Sequence, residues 1–258
     1  MFNRRIKPAS ERMSLGEHLE ELRRRLFYAL GGLAVAMGLS LLFADWVLAL
    51  LRGPFERAVP HEQLVATKLQ TGITMYLNVA LVSGLILAAP WVFYHLWAFV
   101  SAGLYPHERR RVLRAAPFSA ALFVGGAMFF LFVTADMIIG FLMQFNFGRG
   151  LAGMIRVEEY IGFIIKMMIA CGLAFQAPLA VLVLVASGLV SLRKINHYRR
   201  HVIVVIAVLA AVITPPDPWS MLAVGGPMYL LYELGVLLAW LGVRKKNLSD
   251  ELDEKAQV

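Results

Sequence analysis

The chain has 258 residues, 59% of them hydrophobic and only 16% charged, with a mean hydropathy of +0.68. A soluble domain carries roughly 25% charged residues, so this composition excludes an ordinary water-soluble fold and points to the bilayer as solvent. The net charge of +8 would suit nucleic acid in a soluble protein, but here the bases flank apolar runs, where they act as orientation signals.

Residues 1–10 are polar and basic with no apolar core or cleavage site, so no cleavable signal peptide is expected. Next come Glu17, Glu20 and Glu21, followed at once by Arg23, Arg24 and Arg25. On a helix Glu20 reaches Arg24 and Glu21 reaches Arg25 four positions on, in the favourable acid-before-base order. The first apolar run, 26–51, is long enough to cross a hydrocarbon core of roughly 30 Å. Gly31, Gly32 and Gly38 offer it small surfaces for close packing, and Arg52-Gly53-Pro54 reads as its stop.

A polar loop over 53–71 leads to a second span at 73–100, interrupted by Pro90 and ending in the aromatic belt Trp91, Phe93, Tyr94, Trp97 and Phe99. Span three, 115–143, holds Asp136, an acid that must face protein or water. Span four, 160–190, holds Lys166, which can snorkel, and Gln176, which is too short to do so, two residues before Pro178. The fifth run, 202–213, covers only roughly 18 Å before Thr214-Pro215-Pro216-Asp217 ends it. The sixth, 221–243, contains Pro227 and Glu233, and a charged tail over 244–258 reads as mobile. The organisation is thus a segment 1–25 with an amphipathic helix, a membrane domain 26–243 and the tail.

Lys and Arg fix the orientation. Nineteen lie before the first span, in 101–114, in 191–201 and in the tail, against five in the alternate loops, which places both termini in the cytoplasm. That census requires 202–213 to span, giving six transmembrane helices in an all-α integral membrane protein.

No nucleophile–base arrangement, His/Cys cluster or phosphate-binding loop is present, so catalysis, metal and cofactor are not expected. Isolated polar groups remain. Glu108 among Arg109, Arg110 and Arg111 is either a neutralised loop acid or, with Glu21, one of two acceptors for a basic ligand. Asp136, Gln176 and Glu233 either satisfy neighbouring helices or form a midplane site of a small secondary transporter, although no internal repeat supports the latter.

Five ordered motifs carry a resemblance: His18-Leu19-Glu20-Glu21-Leu22-Arg23; Trp97-Ala98-Phe99 with Leu104-Tyr105-Pro106-His107-Glu108-Arg109-Arg110; Phe175-Gln176-Ala177-Pro178; Thr214-Pro215-Pro216-Asp217; and Met228-Tyr229-Leu230-Leu231-Tyr232-Glu233-Leu234-Gly235. Over 13–243 the chain resembles the TatC family, the polytopic subunit of the twin-arginine protein translocase. The resemblance implies a concave, glove-like bundle with short fifth and sixth spans in a bacterial or archaeal cytoplasmic membrane. It also implies a receptor for twin-arginine signal peptides of folded precursors, energised by proton motive force and partnered by single-span TatA/TatB-type subunits and by further copies of itself. The signal-peptide site it implies comprises Glu21 and Glu108 as acceptors, with Glu20, Leu22, Arg23 and Phe99 around them. Gln176, Thr214, Asp217 and Glu233 fall at positions of partner-helix contact or intramembrane polarity, and Pro54 in the subunit-contact region. Many relatives have Glu where this chain has Gln176, which cannot ionise; a hydrogen-bonding role is open to it and a protonation role is not.

Overall fold

The structure, a computed structural model, describes residues 15–102, 113–151, 154–186 and 190–256, with 243–256 described by backbone alone. Among these residues six helical segments are long and apolar enough to cross a membrane: Gly16–Ala58, Thr71–Ala102, Ala115–Phe147, Val157–Val185, Leu192–Ile213 and Pro218–Gly242. The six-span all-α architecture read from the sequence is therefore the one observed.

The first segment is two helices. α1 (Leu15–Ser40) runs into a 3₁₀ turn, Leu41–Phe43, which leads into α2 (Ala44–Ala58). α1 lies along α3 (Thr71–Ala102). Their approach is close enough that a Cβ on Gly84 would sit 2.8 Å from Met37 Cα. The Ser40 hydroxyl donates to Ala80 O at 2.9 Å, and Trp91 Nε1 donates to Tyr28 O at 2.8 Å, its ring lying where a Cβ on Gly32 would be. Of the three glycines read as packing surfaces, Gly32 alone has a neighbour at its Cβ position.

Pro54 does not stop the first segment, contrary to the sequence reading, since α2 continues through it to Ala58. A proline removes one ladder bond and crowds the turn before it. Here the Tyr160 hydroxyl inserts into the adjoining rung: it donates to Leu51 O at 2.8 Å and accepts from Phe55 N at 3.2 Å. Leu51 O and Phe55 N, which no lipid would satisfy, are thereby paired. α3 passes unbroken through Pro90, and the last helix through Pro227, so neither proline interrupts its span.

α4 (Ala115–Phe129) continues through a π-helical turn, Phe130–Thr134, into α5 (Ala135–Phe147). α6 (Val157–Ala174) packs on α4, where a Cβ on Gly126 would meet Cys171 O at 2.7 Å and one on Gly172 would meet the Phe123 ring. These helices and α2 enclose the main core, in which Phe55, Phe130, Ile138, Ile161, Ile164 and Met167 are fully buried. Across the opposite ends, a two-residue parallel ladder ties β1 (Leu64–Val65) to β2 (Ile155–Arg156), which no sequence pattern announced.

α6 breaks at Phe175-Gln176, and α7 (Ala177–Ala186) resumes with Pro178 as its second residue. α8 (Leu192–Ile213) and α9 (Pro218–Ala256) complete the bundle, joined to α7 by a smaller core of Val181, Tyr232, Val236 and Ala239. α8 has a basic first half and buries little: Ala210 is its one buried residue. The segment Pro218–Gly242 has 25 residues, so shortness belongs to the apolar part of the fifth span and not to the sixth. The backbone stays helical to Ala256, beyond the expected end at Val243, because the tail carries several Lys, Glu and Leu residues, which are good helix formers.

Replacing Tyr160 by Phe should lower stability by about 1–3 kcal/mol, the cost of orphaning buried hydrogen-bonding groups. A lowered thermal midpoint in detergent, measured by size-exclusion after heating, checks this; an unchanged midpoint would show that the rung closes without the hydroxyl.

Candidate functional site

Alternating helix directions bring the start of α1, the end of α3 and the start of α8 to one end of the bundle, here called the basic end. At this end α1 lays His18 against α3, the His18 and Phe99 rings stacking at 4.6 Å between centroids. One turn on, Glu21 faces the same way and its side chain is only 12% exposed. Arg25 Nε donates to Glu21 Oε1 at 2.8 Å, and Arg24 bonds the other carboxylate oxygen. The anticipated Glu20–Arg24 pair does not form. Glu20 points to the outside, whereas the half-buried Glu21 carboxylate, shielded from water, gathers both guanidinium groups. Arg23 lies over the Phe27 ring at 5.8 Å, and Leu22 is exposed beside it. Glu108 lies outside the described residues.

Below Phe99 is a feature the motif reading missed. His95 is 5% exposed, and the rings of Trp91, Tyr94 and Tyr28 surround it at 4.6, 5.3 and 5.6 Å. Among the described residues neither of its ring nitrogens has a hydrogen-bond partner. The spacing Trp91, His95, Phe99 marks a single helix face and is visible in the sequence.

Gln176 occupies the break between α6 and α7. Its Nε2 donates to Ser119 O at 3.1 Å and Gly172 O at 3.4 Å, and the Ser119 hydroxyl accepts from Trp97 Nε1 at 2.6 Å. A polar chain thus runs from Gln176 through α4 to the residue two before Phe99. Gln176 also lines a groove of about 810 Å³ between α6, α7, α8 and α9, with an otherwise mostly apolar wall.

The remaining polar candidates are taken up separately. Asp136 receives a bidentate pair of bonds from Arg57 at 2.9 and 3.0 Å, and Glu233 is paired with Arg199 at 2.9 Å and Tyr229 at 2.8 Å. Asp136, Gln176 and Glu233 therefore have three separate sets of partners and form no common midplane site. Thr214 caps α8, its hydroxyl donating to Ala210 O at 2.8 Å, and Asp217 caps α9 by accepting from Ser220 N at 2.7 Å. Pro54 is fully buried within the chain. Among the described residues no cluster of metal-ligating side chains occurs.

Six spanning helices, a recessed carboxylate held by arginines at one end and a lateral groove lined by a half-buried amide define a polytopic integral membrane protein. The chain belongs to the TatC family of Sec-independent protein translocase proteins, whose sequence pattern matches residues 17–227. It is 32% identical to the Sec-independent protein translocase protein TatC of Aquifex aeolicus over 236 residues, covering 91% of this chain and 98% of that one. Against the TatC of Deinococcus radiodurans the identity is 36% over 242 residues, covering 91% and 89% of the two chains. A crystal structure of the twin arginine translocase receptor TatC superposes with a TM-score of 0.78 at 30% identity, covering 88% of this chain and 100% of that one.

The His18–Phe99 contact predicts that Cys residues at both positions, with Cys171→Ala, are joined by a short bis-maleimide in the native membrane. Loss of the crosslinked band would show that the start of α1 is not docked on α3.

Proposed function

We propose that this chain is the twin-arginine signal-peptide receptor and core subunit of a translocase that exports folded proteins across the cytoplasmic membrane, driven by proton motive force. The observation that carries the reading is Glu21, a recessed carboxylate already gripped by two consecutive arginines of its own helix. An acid that accepts Arg24 and Arg25 has the geometry to accept the adjacent arginines of an incoming peptide. Binding is then an exchange of one arginine pair for another. Lysines substitute poorly in it, because an ammonium cannot reproduce the planar two-bond contact of a guanidinium.

Leu22 and Phe99 give the peptide an apolar flank, Glu20 extends the acidic rim, and Arg23, held over Phe27, repels single cations that lack the paired geometry. Glu108, outside the described residues, is the second acceptor. With both termini in the cytoplasm the site faces the compartment where precursors are made. The groove at Gln176 takes single-span TatA/TatB-type subunits, with Thr214, Asp217 and Glu233 on the elements that frame it. Further copies of the chain meet the segment around Pro54 through its exposed neighbours, since Pro54 itself is buried. The short apolar part of α8 thins the surrounding bilayer by hydrophobic mismatch, easing passage of cargo.

Binding of a fluorescent twin-arginine peptide to the protein in nanodiscs tests the reading. Glu21→Gln and Glu108→Gln should each weaken it about 10- to 100-fold, the usual worth of a charge-assisted pair. The Lys-Lys peptide should bind as weakly. The double variant Arg24→Gln, Arg25→Gln should bind the native peptide more tightly, because the internal competitor is gone. Indifference to the acids, or equal binding of the Lys-Lys peptide, would overturn the receptor assignment.

A further inference from the structure

An arginine displaced from Glu21 needs another partner, and the two arginines that hold this acid differ in what is open to them. The Arg24 side chain is 59% exposed and can turn to water. That of Arg25 is 19% exposed. Stripped of its carboxylate, Arg25 becomes a largely buried, unpaired cation, which is costly unless a second acceptor lies within reach. Exchange at Glu21 therefore depends on what Arg25 meets when it lets go.

The register of α1 on α3 answers this. His18, Arg25 and Gly32 recur at every second turn and so share one face of α1. His18 stacks on Phe99, and the Trp91 ring lies where a Cβ on Gly32 would be. Arg25, midway between those contacts, is aimed at the midpoint of the facing stretch of α3, which is His95. Its charge acts on that imidazole, and Tyr28, one turn beyond Arg25, stacks on the same ring. His95 is 5% exposed, and among the described residues both its nitrogens lack partners. Phenylalanine would fill this place without burying unsatisfied nitrogens. A neutral imidazole brings one lone-pair acceptor, and the rings of Tyr28, Trp91 and Tyr94 around it bring π-faces that attract a guanidinium.

We propose that His95 is a positioning residue of the signal-peptide site, accepting the Arg25 guanidinium when an incoming pair of arginines takes the Glu21 carboxylate. The inference deepens the receptor reading given above and rests on it. At rest Arg25 holds Glu21 closed against single cations. On exchange it moves from the acid to the imidazole, within the same face between α1 and α3, and Glu21 is left with both oxygens free for the peptide. His95 acts through Arg25 and touches no peptide group.

Binding of a fluorescent twin-arginine peptide to the full chain in nanodiscs tests this across a small set of variants. His95→Phe keeps the aromatic packing and removes the acceptor, and should weaken the peptide about tenfold, the scale of one charge-assisted hydrogen bond. His95→Gln, which restores a buried acceptor, should bind within about threefold of the unaltered chain. With Arg25→Gln in place, adding His95→Phe should change affinity by no more than about twofold, because no displaced charge is left to receive. NMR of protein labelled at its histidine ring nitrogens supplies a second readout. The signal missing from His95→Gln should move when peptide is added to the unaltered chain and stay in place in Arg25→Gln. Equal losses from His95→Phe with and without Arg25 would make His95 a packing residue and overturn the proposal. So would full peptide affinity in His95→Phe, or a His95 signal that bound peptide leaves unmoved. Failure of the unaltered chain to bind the peptide at all is a different result, which would overturn the receptor reading and this inference with it.

Discussion

A bilayer supplies no water to a spare donor or acceptor, so each buried polar group must find its partner inside the protein. Much of this fold is arranged by that requirement. Ser40 crosses to Ala80 O, and Tyr160 enters the rung between Leu51 and Phe55. Where the α6 helix breaks ahead of Pro178, Gln176 turns its amide onto the carbonyls of Ser119 and Gly172. The departures from the rule then become informative. Glu21 has an excess of cations, and among the described residues Lys166 has no ion pair and the Tyr232 hydroxyl and both His95 ring nitrogens have no hydrogen-bond partner. In a medium that penalises such imbalance they mark places where something else binds or packs.

The architecture was largely legible because an apolar run of about twenty residues has few alternatives to a spanning helix. The weakest run, 202–213, was recovered through charge, since the alternation of basic loops required it to span. The prolines were read less well. Pro54 and Pro90 each looked like an interruption, and both, like Pro227, lie inside a continuous helix. What a proline costs depends on what fills the gap it opens, and at Pro54 the filler is a hydroxyl 105 positions from the N–H it accepts. No local window contains that information. The same limit explains the charge pairs: periodicity allowed both Glu20–Arg24 and Glu21–Arg25, and only the packing of α1 on α3 decides that Glu21 takes both arginines.

The candidate site divides along the same line. Glu21 and Phe99 stood out in the sequence through motifs, and the fold sets them on adjoining helix ends beside His18. Gln176 stood out as a polar group too short to snorkel. Lys166 drew attention only as a residue able to snorkel, because its neighbours across the groove come from α8 and α9, some forty residues further on or more. Trp97 was read only as part of the aromatic belt and of a motif, and Ser119 carried no signal. Together they join Gln176 to the strip of α3 that bears Phe99, so that the groove and the basic end share one hydrogen-bonded connection. That connection contains no ionisable group, and it therefore holds its geometry without dependence on protonation.

The hydroxyl of Tyr160 also bears on how the protein is made. Leu51 and its partner lie 109 residues apart, the one in the first span and the other at the head of the fourth. Synthesis proceeds from the N-terminus, so the first span enters the membrane with a turn beside Pro54 that nothing yet closes. It stays unfinished through the insertion of the second and third spans. The fourth span brings the missing atom, and its arrival locks the end of the first. The seat of the first helix is thus completed by an atom that synthesis supplies only with the fourth span.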